Sequence, residues 1–332
     1  MSDSGETPYA SGFSRVTVGD PASGGRITAG VWYPTKAREA LVTEQARSFL
    51  VARDAMPAPG SYPFVLLSHG SGGWYGAHHD SAEFLARRGY VVASLTHPGD
   101  NFQDLGGYLG AQQLLGRPHH MKLLKDYVLG THKYRSIIDA QRLAAMGFAE
   151  GAYTVAVLMG GRPDFARFSS HAHWNPQDPT LLPHWELTLD SLPEEVPEYA
   201  EPVLSAVLMA PAFGFLFDSD RLRRVRARVQ LYRAEMDNLL RADTHVEPYL
   251  RSLPVVPEYR IVKGAGHYAF TAPCPEALME EDPDICRDRL GFDRVAFHRR
   301  LNAQILDFFG RTLVDADSVV PDGLERAGEP GE

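Results

Sequence analysis

Two periods of hydrophobic and polar positions run along the chain. Near the start, residues 13–18 and 27–33 alternate apolar with polar side chains across a turn at Asp20-Pro21-Ala22-Ser23-Gly24-Gly25. A period of two joined by such a turn predicts an antiparallel hairpin. Further on the pattern changes to short apolar runs at 64–68 and 90–95, and further strands are expected at 203–209, 229–232 and 259–262. Runs of this length without alternation predict strands covered on both faces. Helical spacing is clearest at the end, where Val295, Phe297, Leu301, Ile305, Phe308 and Phe309 predict a closing helix over 292–309. Shorter helices are expected at 81–88, stopped by Gly89, at 118–127, and at 153–158, with helical content near 40–50.

Buried strands alternating with helices predict an α/β fold with a mostly parallel, doubly wound sheet and an N-terminal antiparallel hairpin. Residues 162–200 break the rhythm with proline, histidine and tryptophan, and are expected to form a loop-and-helix cap insertion. The expected organisation is one domain over 13–312, with residues 1–12 and 315–332 as loose tails.

In such sheets, sites form at the carboxyl ends of the strands. The glycine-rich or histidine-rich loops at 69–73, 96–101, 147–151, 235–238 and 264–268 fall at those ends. The segment Gly147-Phe148-Ala149-Glu150-Gly151 follows an apolar strand and precedes a helix, the architecture of a nucleophile elbow, G-x-S-x-G. With 30 glycines in 332 residues, chance supplies roughly three glycine pairs at this spacing, and the chain has three. Only the pair Gly147/Gly151 has the right flanks, so context rather than spacing identifies it. At the apex stands Ala149 where the motif has serine.

Acyl transfer needs a base beside the nucleophile and an acid to orient the base. Asp237 ends a strand downstream of the elbow, with Glu235 as the competing acid and a helix N-cap as the plain alternative role for Asp237. His267 follows on a glycine-rich loop, which completes the order nucleophile, acid, histidine. The oxyanion is expected to meet the N–H groups of Glu150 and Ser71, with Gly72 as second choice for the latter. Gly72, Trp74, Tyr75, His97 and Tyr268 are candidate substrate contacts, and Trp174 and Trp185 candidate pocket walls. The pairs His78-His79, His119-His120 and His171/His173 lack a regular ligand spacing, and no metal is expected.

At these residues the chain resembles the dienelactone hydrolase-like α/β-hydrolases, in particular the larger esterases related to platelet-activating-factor acetylhydrolases. The resemblance is carried by Leu67-Ser68-His69-Gly70-Ser71-Gly72-Gly73, His97-Pro98-Gly99-Asp100, the elbow, Tyr232-Arg233-Ala234-Glu235-Met236-Asp237, and Gly264-Ala265-Gly266-His267-Tyr268. The 274–286 loop and the start of the closing helix also look like that family. The resemblance implies an α/β-hydrolase fold, no cofactor, and cleavage of a carboxylic ester, lactone or amide through Ser-His-Asp. Ala149 departs from it, because a methyl group cannot form an acyl-enzyme. Intact acid, base and oxyanion loop favour an engineered Ser→Ala change that traps substrate. The alternative is a natural pseudoenzyme that holds a hydrophobic ester-like ligand.

A net charge of −9 argues against nucleic acid and against non-specific binding to an anionic membrane. The expected partner is a small ester-like molecule. The N-terminus shows no signal-peptide pattern, so a cytoplasmic site is expected, or a secreted or periplasmic one if a leader has been removed. Cys274 and Cys286 read either as two reduced thiols or as a disulfide closing a proline-bearing loop.

Overall fold

The unbroken apolar runs become the centre of a sheet. The computed structural model describes residues 7–181, 192 and 196–313. Strands β5 (Tyr62–Ser68), β6 (Val91–Leu95) and β8 (Ser205–Met209) are buried at every position. β7 (Ile138–Phe148) is buried over its last six residues. With β1 (Ala10–Gly19), β2 (Arg26–Thr35), β3 (Ala40–Glu44), β4 (Arg47–Arg53), β9 (Arg228–Ala234) and β10 (Glu258–Val262), they form a ten-stranded sheet among the described residues. Its order is β10-β9-β8-β7-β5-β6-β2-β1-β4-β3. Neighbours from β10 to β6 run parallel, while β2 is antiparallel to both β6 and β1. The carboxyl ends of β5, β7, β8 and β9 therefore point the same way and bring their loops to one edge.

The N-terminal hairpin forms with Phe13 opposite Trp32. It begins earlier than the pattern indicates, since β1 starts at Ala10, so residues 10–12 are strand rather than tail. The helical expectation near 40–50 is wrong. That stretch is the hairpin β3–β4. Phe49 and Val51 are fully buried, and Phe49 stacks on His79 at 4.4 Å between ring centres. Packing on alternate positions selects a strand, and β-branched Val42 and Thr43 suit it. The hairpin turns through Gln45 and Ala46 at φ 48° and 59°, without the Asn-Gly pair that normally marks such a turn. A left-handed alanine costs roughly 1–2 kcal/mol. Ala46→Gly is therefore expected to raise stability by about 1 kcal/mol in urea denaturation, and an unchanged midpoint would contradict the turn described.

Helices pack on this frame. His79–Ala86 lies against β6, and Glu150–Leu158 against β7. The closing helix, Arg294–Thr312, buries Phe297, Leu301, Ile305, Phe308 and Phe309, whereas Val295, assigned to the same face by spacing, is half exposed in the first turn. One core cluster runs from Phe13 to Leu313. Cys274 and Cys286 are joined as a disulfide. The expected tails at 1–6 and 315–332, and Trp185 in the cap, lie outside the described residues. Of the cap, residues 162–181, 192 and 196–200 are described, among them the helix Arg167–Trp174.

Candidate active site

The turn after β7 is shaped by steric exclusion. A Cβ on Gly147 would lie 2.2 Å from the Gly151 carbonyl oxygen, and a Cβ on Gly151 would lie 2.0 Å from that of Ser68. Only glycine fits either position. Between them Ala149 takes φ 51° and ψ −117°, a strained conformation for a residue with a side chain, costing of order 1–3 kcal/mol. Its N–H donates to the Met209 carbonyl at 3.0 Å, and its carbonyl accepts from Ala212 at 3.1 Å. The apex is thus fixed to the end of β8 and the residues beyond it.

His267 and Asp237 meet beside this apex. Nδ1 of His267 lies 2.8 Å from Asp237 Oδ2, and both side chains are nearly buried. A carboxylate only accepts here, so Nδ1 carries the hydrogen and Nε2 of the neutral ring is the available base. Asp237 Oδ1 accepts the N–H groups of Leu239 at 3.0 Å and Leu240 at 2.9 Å. The same aspartate therefore caps a turn and orients the imidazole. Burial works against its charge. The hydrogen bond and charge of His267, with the two amides, outweigh burial and hold the carboxyl below its usual range. Glu235, the competing acid, points elsewhere and pairs with Lys263 at 2.6 Å.

A cavity of about 400 Å³ joins these groups. Ala149, Glu150, Ser71, Gly72, His267 and Tyr268 line it, with Leu105, Tyr108, Phe148, Leu239, Leu240 and Ile285 as apolar and aromatic wall. Pro179 and Thr180 of the cap close one side. A second cavity of about 380 Å³ shares Ser71, Gly72, Phe148, Tyr268 and Ile285 with it, and adds Trp74, Phe102 and Leu278.

The expected oxyanion donors are arranged differently from the sequence reading. The Ser71 N–H donates to Glu150 Oε2 at 2.8 Å. A carboxylate thus occupies the amide that the sequence reading expects to meet an oxyanion. The Ser71 hydroxyl donates to Asp100 Oδ1, and Gly72 N–H reaches the same oxygen at 3.4 Å.

Beneath this loop lies a buried polar network. Arg117 and Asp100 are both fully buried and paired at 2.6 Å. Arg117 also donates to the His69 carbonyl. Gln113 donates to Asp100 Oδ2 at 2.7 Å. Burial raises the Asp100 carboxyl, but Arg117, Ser71 and Gln113 bring it below its ordinary value. His69 accepts the His97 N–H at Nε2 (3.1 Å), so its Nδ1 donates to the Gly70 carbonyl at 2.6 Å. Burial, then the Arg117 charge, push His69 down to about 3 and His97 well below its usual value. Both rings are neutral struts.

Several expected contacts do not reach the cavities. His97 is fully buried and hydrogen-bonded to Ser68 at 2.9 Å, because the strand end carries it under the loop. Tyr75 is directed into the core with Phe13 and Trp32, and its hydroxyl donates to Glu44. Trp174 is exposed on the cap helix. Trp74, Gly72 and Tyr268 do line cavities.

His171 meets residues that the sequence did not suggest. Asp178 Oδ2 lies 2.6 Å from His171 Nε2 and 2.9 Å from His245 Nε2, and all three residues are buried. His245 Nδ1 accepts the Phe213 N–H at 3.0 Å, which leaves the ring hydrogen on Nε2, donated to Asp178. A metal ligand needs that nitrogen bare. The trio fits a clasp that ties the cap turn to the loop after β9. Arg117, Asp178 and Tyr108 were missed because their roles come from partners distant in sequence. An arginine at a helix start carries no mark of burial.

No protein-family model matches the sequence, and no curated protein matches it. Among solved structures the chain is similar to a ferulic acid esterase from Streptomyces cinnamoneus, with a TM-score of 0.61 over 96% of this chain and 95% of that one, at 18% identity. At that identity the likeness concerns architecture, and together with the sheet described above it gives the chain an α/β-hydrolase fold.

Proposed function

We propose that this is the scaffold of a carboxylic-ester hydrolase of the dienelactone hydrolase-like kind, in which Ala149 has removed the nucleophile and left the ligand pocket. The observation that carries the reading is the strained apex at Ala149, squeezed between Gly147 and Gly151, sharing one cavity with His267, which is paired to the buried Asp237. Strain of this kind is retained where it positions a reacting group. The similar fold of a ferulic acid esterase adds to the case for an ester substrate.

With serine at 149, its oxygen would attack the ester carbonyl while His267 Nε2 takes the hydroxyl proton. The tetrahedral oxyanion would then collapse, expelling the alcohol, which receives that proton from His267. Water, activated by His267 in turn, would cleave the acyl-enzyme to the acid. Asp237 stabilises the imidazolium at both steps. No part of this sequence calls for a cofactor.

The non-catalytic reading, a protein that holds an ester-like ligand, is favoured by one specific observation. Glu150 sits on the Ser71 amide, an obstruction of the expected oxyanion site that a single engineered change at 149 does not account for. The disulfide between Cys274 and Cys286 supports an oxidising compartment, and so the secreted or periplasmic alternative.

Ala149→Ser assayed on p-nitrophenyl esters tests the hydrolase reading. Ester cleavage is expected to appear, and to fall at least ~100-fold when His267→Ala is added. Silence across short and long acyl chains, with ligand binding retained, would leave the binding protein.

A further inference from the structure

We propose that the cavity over Ala149 takes a ligand carrying an organic ammonium group on an apolar body, with the ammonium paired to Glu150. The proposal rests on that cavity being the ligand site. Glu150 is 6% exposed, and a carboxylate so placed is costly unless its charge is met. Within the protein it is met only in part. Its Oε2 accepts the Ser71 N–H, and it stands in the first turn of its own helix, at the positive end. No lysine, arginine or histidine forms an ion pair with it among the described residues. No lysine or arginine lines the cavity either.

The remaining wall suits a cation. Tyr108, Phe148 and Tyr268 line the same space, and aromatic rings attract an ammonium group. The charges that act most on two of these tyrosines are negative. Burial raises the Tyr108 hydroxyl well above its usual value, and the charges of Glu150, Asp100 and Asp178 add to the effect. Tyr268 is raised by burial, then by Glu150, Asp282, Asp237 and Asp284. Leu105, Leu239, Leu240 and Ile285 supply an apolar chamber for the rest of the molecule. A carboxylate beside aromatic walls, in a cavity lined by no lysine or arginine, forms an ammonium site, whereas a carboxylic acid ligand would meet Glu150 directly.

Three probes of one shape test this on the unaltered chain at pH 7: 4-phenylbutylamine, 4-phenylbutanamide and 4-phenylbutanoate, titrated by calorimetry. The amine is expected to bind at least about tenfold more tightly than the acid, with the amide between them. In Glu150→Gln, which keeps an oxygen for the Ser71 N–H, the preference is expected to vanish. Equal binding of amine and acid, no binding of any probe, or a preference that survives Glu150→Gln would each overturn the proposal. The comparison of probes on the unaltered chain decides the matter even if the variant fails to fold. Ester cleavage by Ala149→Ser without amine preference sinks this proposal alone. Amine preference without cleavage sinks the hydrolase reading alone.

Discussion

Ala149→Ser combined with Glu150→Gly is expected to hydrolyse p-nitrophenyl esters ~100-fold faster than Ala149→Ser alone. The reason is the Ser71 amide, which in this chain donates to Glu150 Oε2 at 2.8 Å. On the proposed function a serine at 149 supplies the nucleophile, and His267 with Asp237 supplies the base. The oxyanion would still have to displace a buried carboxylate of its own sign. One oxyanion donor contributes about 100- to 1,000-fold in kcat, and here the obstruction both removes a donor and adds repulsion. Glycine at 150 frees the Ser71 N–H and keeps the backbone N–H of residue 150, the second donor. The gain should appear in kcat rather than in KM, since the oxyanion exists only beyond the ground state. Equal rates for the single and double variants would mean that Glu150 swings away when substrate enters.

Arg117→Leu is expected to cost about 3–5 kcal/mol, the usual effect of leaving a buried charge without its partner. Asp100 would keep Ser71, Gln113 and the distant Gly72 amide, but lose the cation. The pH dependence gives the sign. In the unaltered chain the Asp100 carboxyl is held below its ordinary value. Its contribution is therefore complete above the unfolded carboxyl pKa of about 3.9 and is lost as acid titrates the folded group. Without Arg117 the burial effect prevails and the folded pKa rises. The deficit of Arg117→Leu should then shrink between pH 7 and pH 5 in urea denaturation. A deficit constant over that range would show that packing, not charge, is what Arg117 provides.

Much of this was legible in the chain because one signal dominated locally. Residues 64–68 and 90–95 could be nothing but buried strands, and Asp237 and His267 stood out by falling at strand ends in the right order. The misreadings share a cause. At 45–46 the turn has neither glycine nor asparagine, so hairpin β3–β4 gave no sign of itself and alternate burial of Phe49 and Val51 decided the matter. Trp74 and Tyr75 are neighbours that point apart, one to a cavity and one to the core. Glu150 falls at the elbow, but the direction of its side chain depends on a loop 79 residues earlier. Arg117 was invisible for the same reason: its partner Asp100 comes from another strand end.

The elbow is held from its flanks, by the Gly151 backbone against Gly147 and by the Ser68 carbonyl against Gly151. Nothing in that clamp depends on which side chain stands at 149. Form and chemistry are therefore inherited separately here. A lineage that exchanges the apex residue keeps the turn, the neighbouring imidazole and the chamber, and stands one small step at that position from the proposed nucleophile. The glycines do not have that freedom, because a change at either alters the backbone itself. Within such a lineage, Gly147 and Gly151 should be the last positions to vary, and residue 149 is the one that, on the proposed function, can gain or lose catalysis without rebuilding the protein.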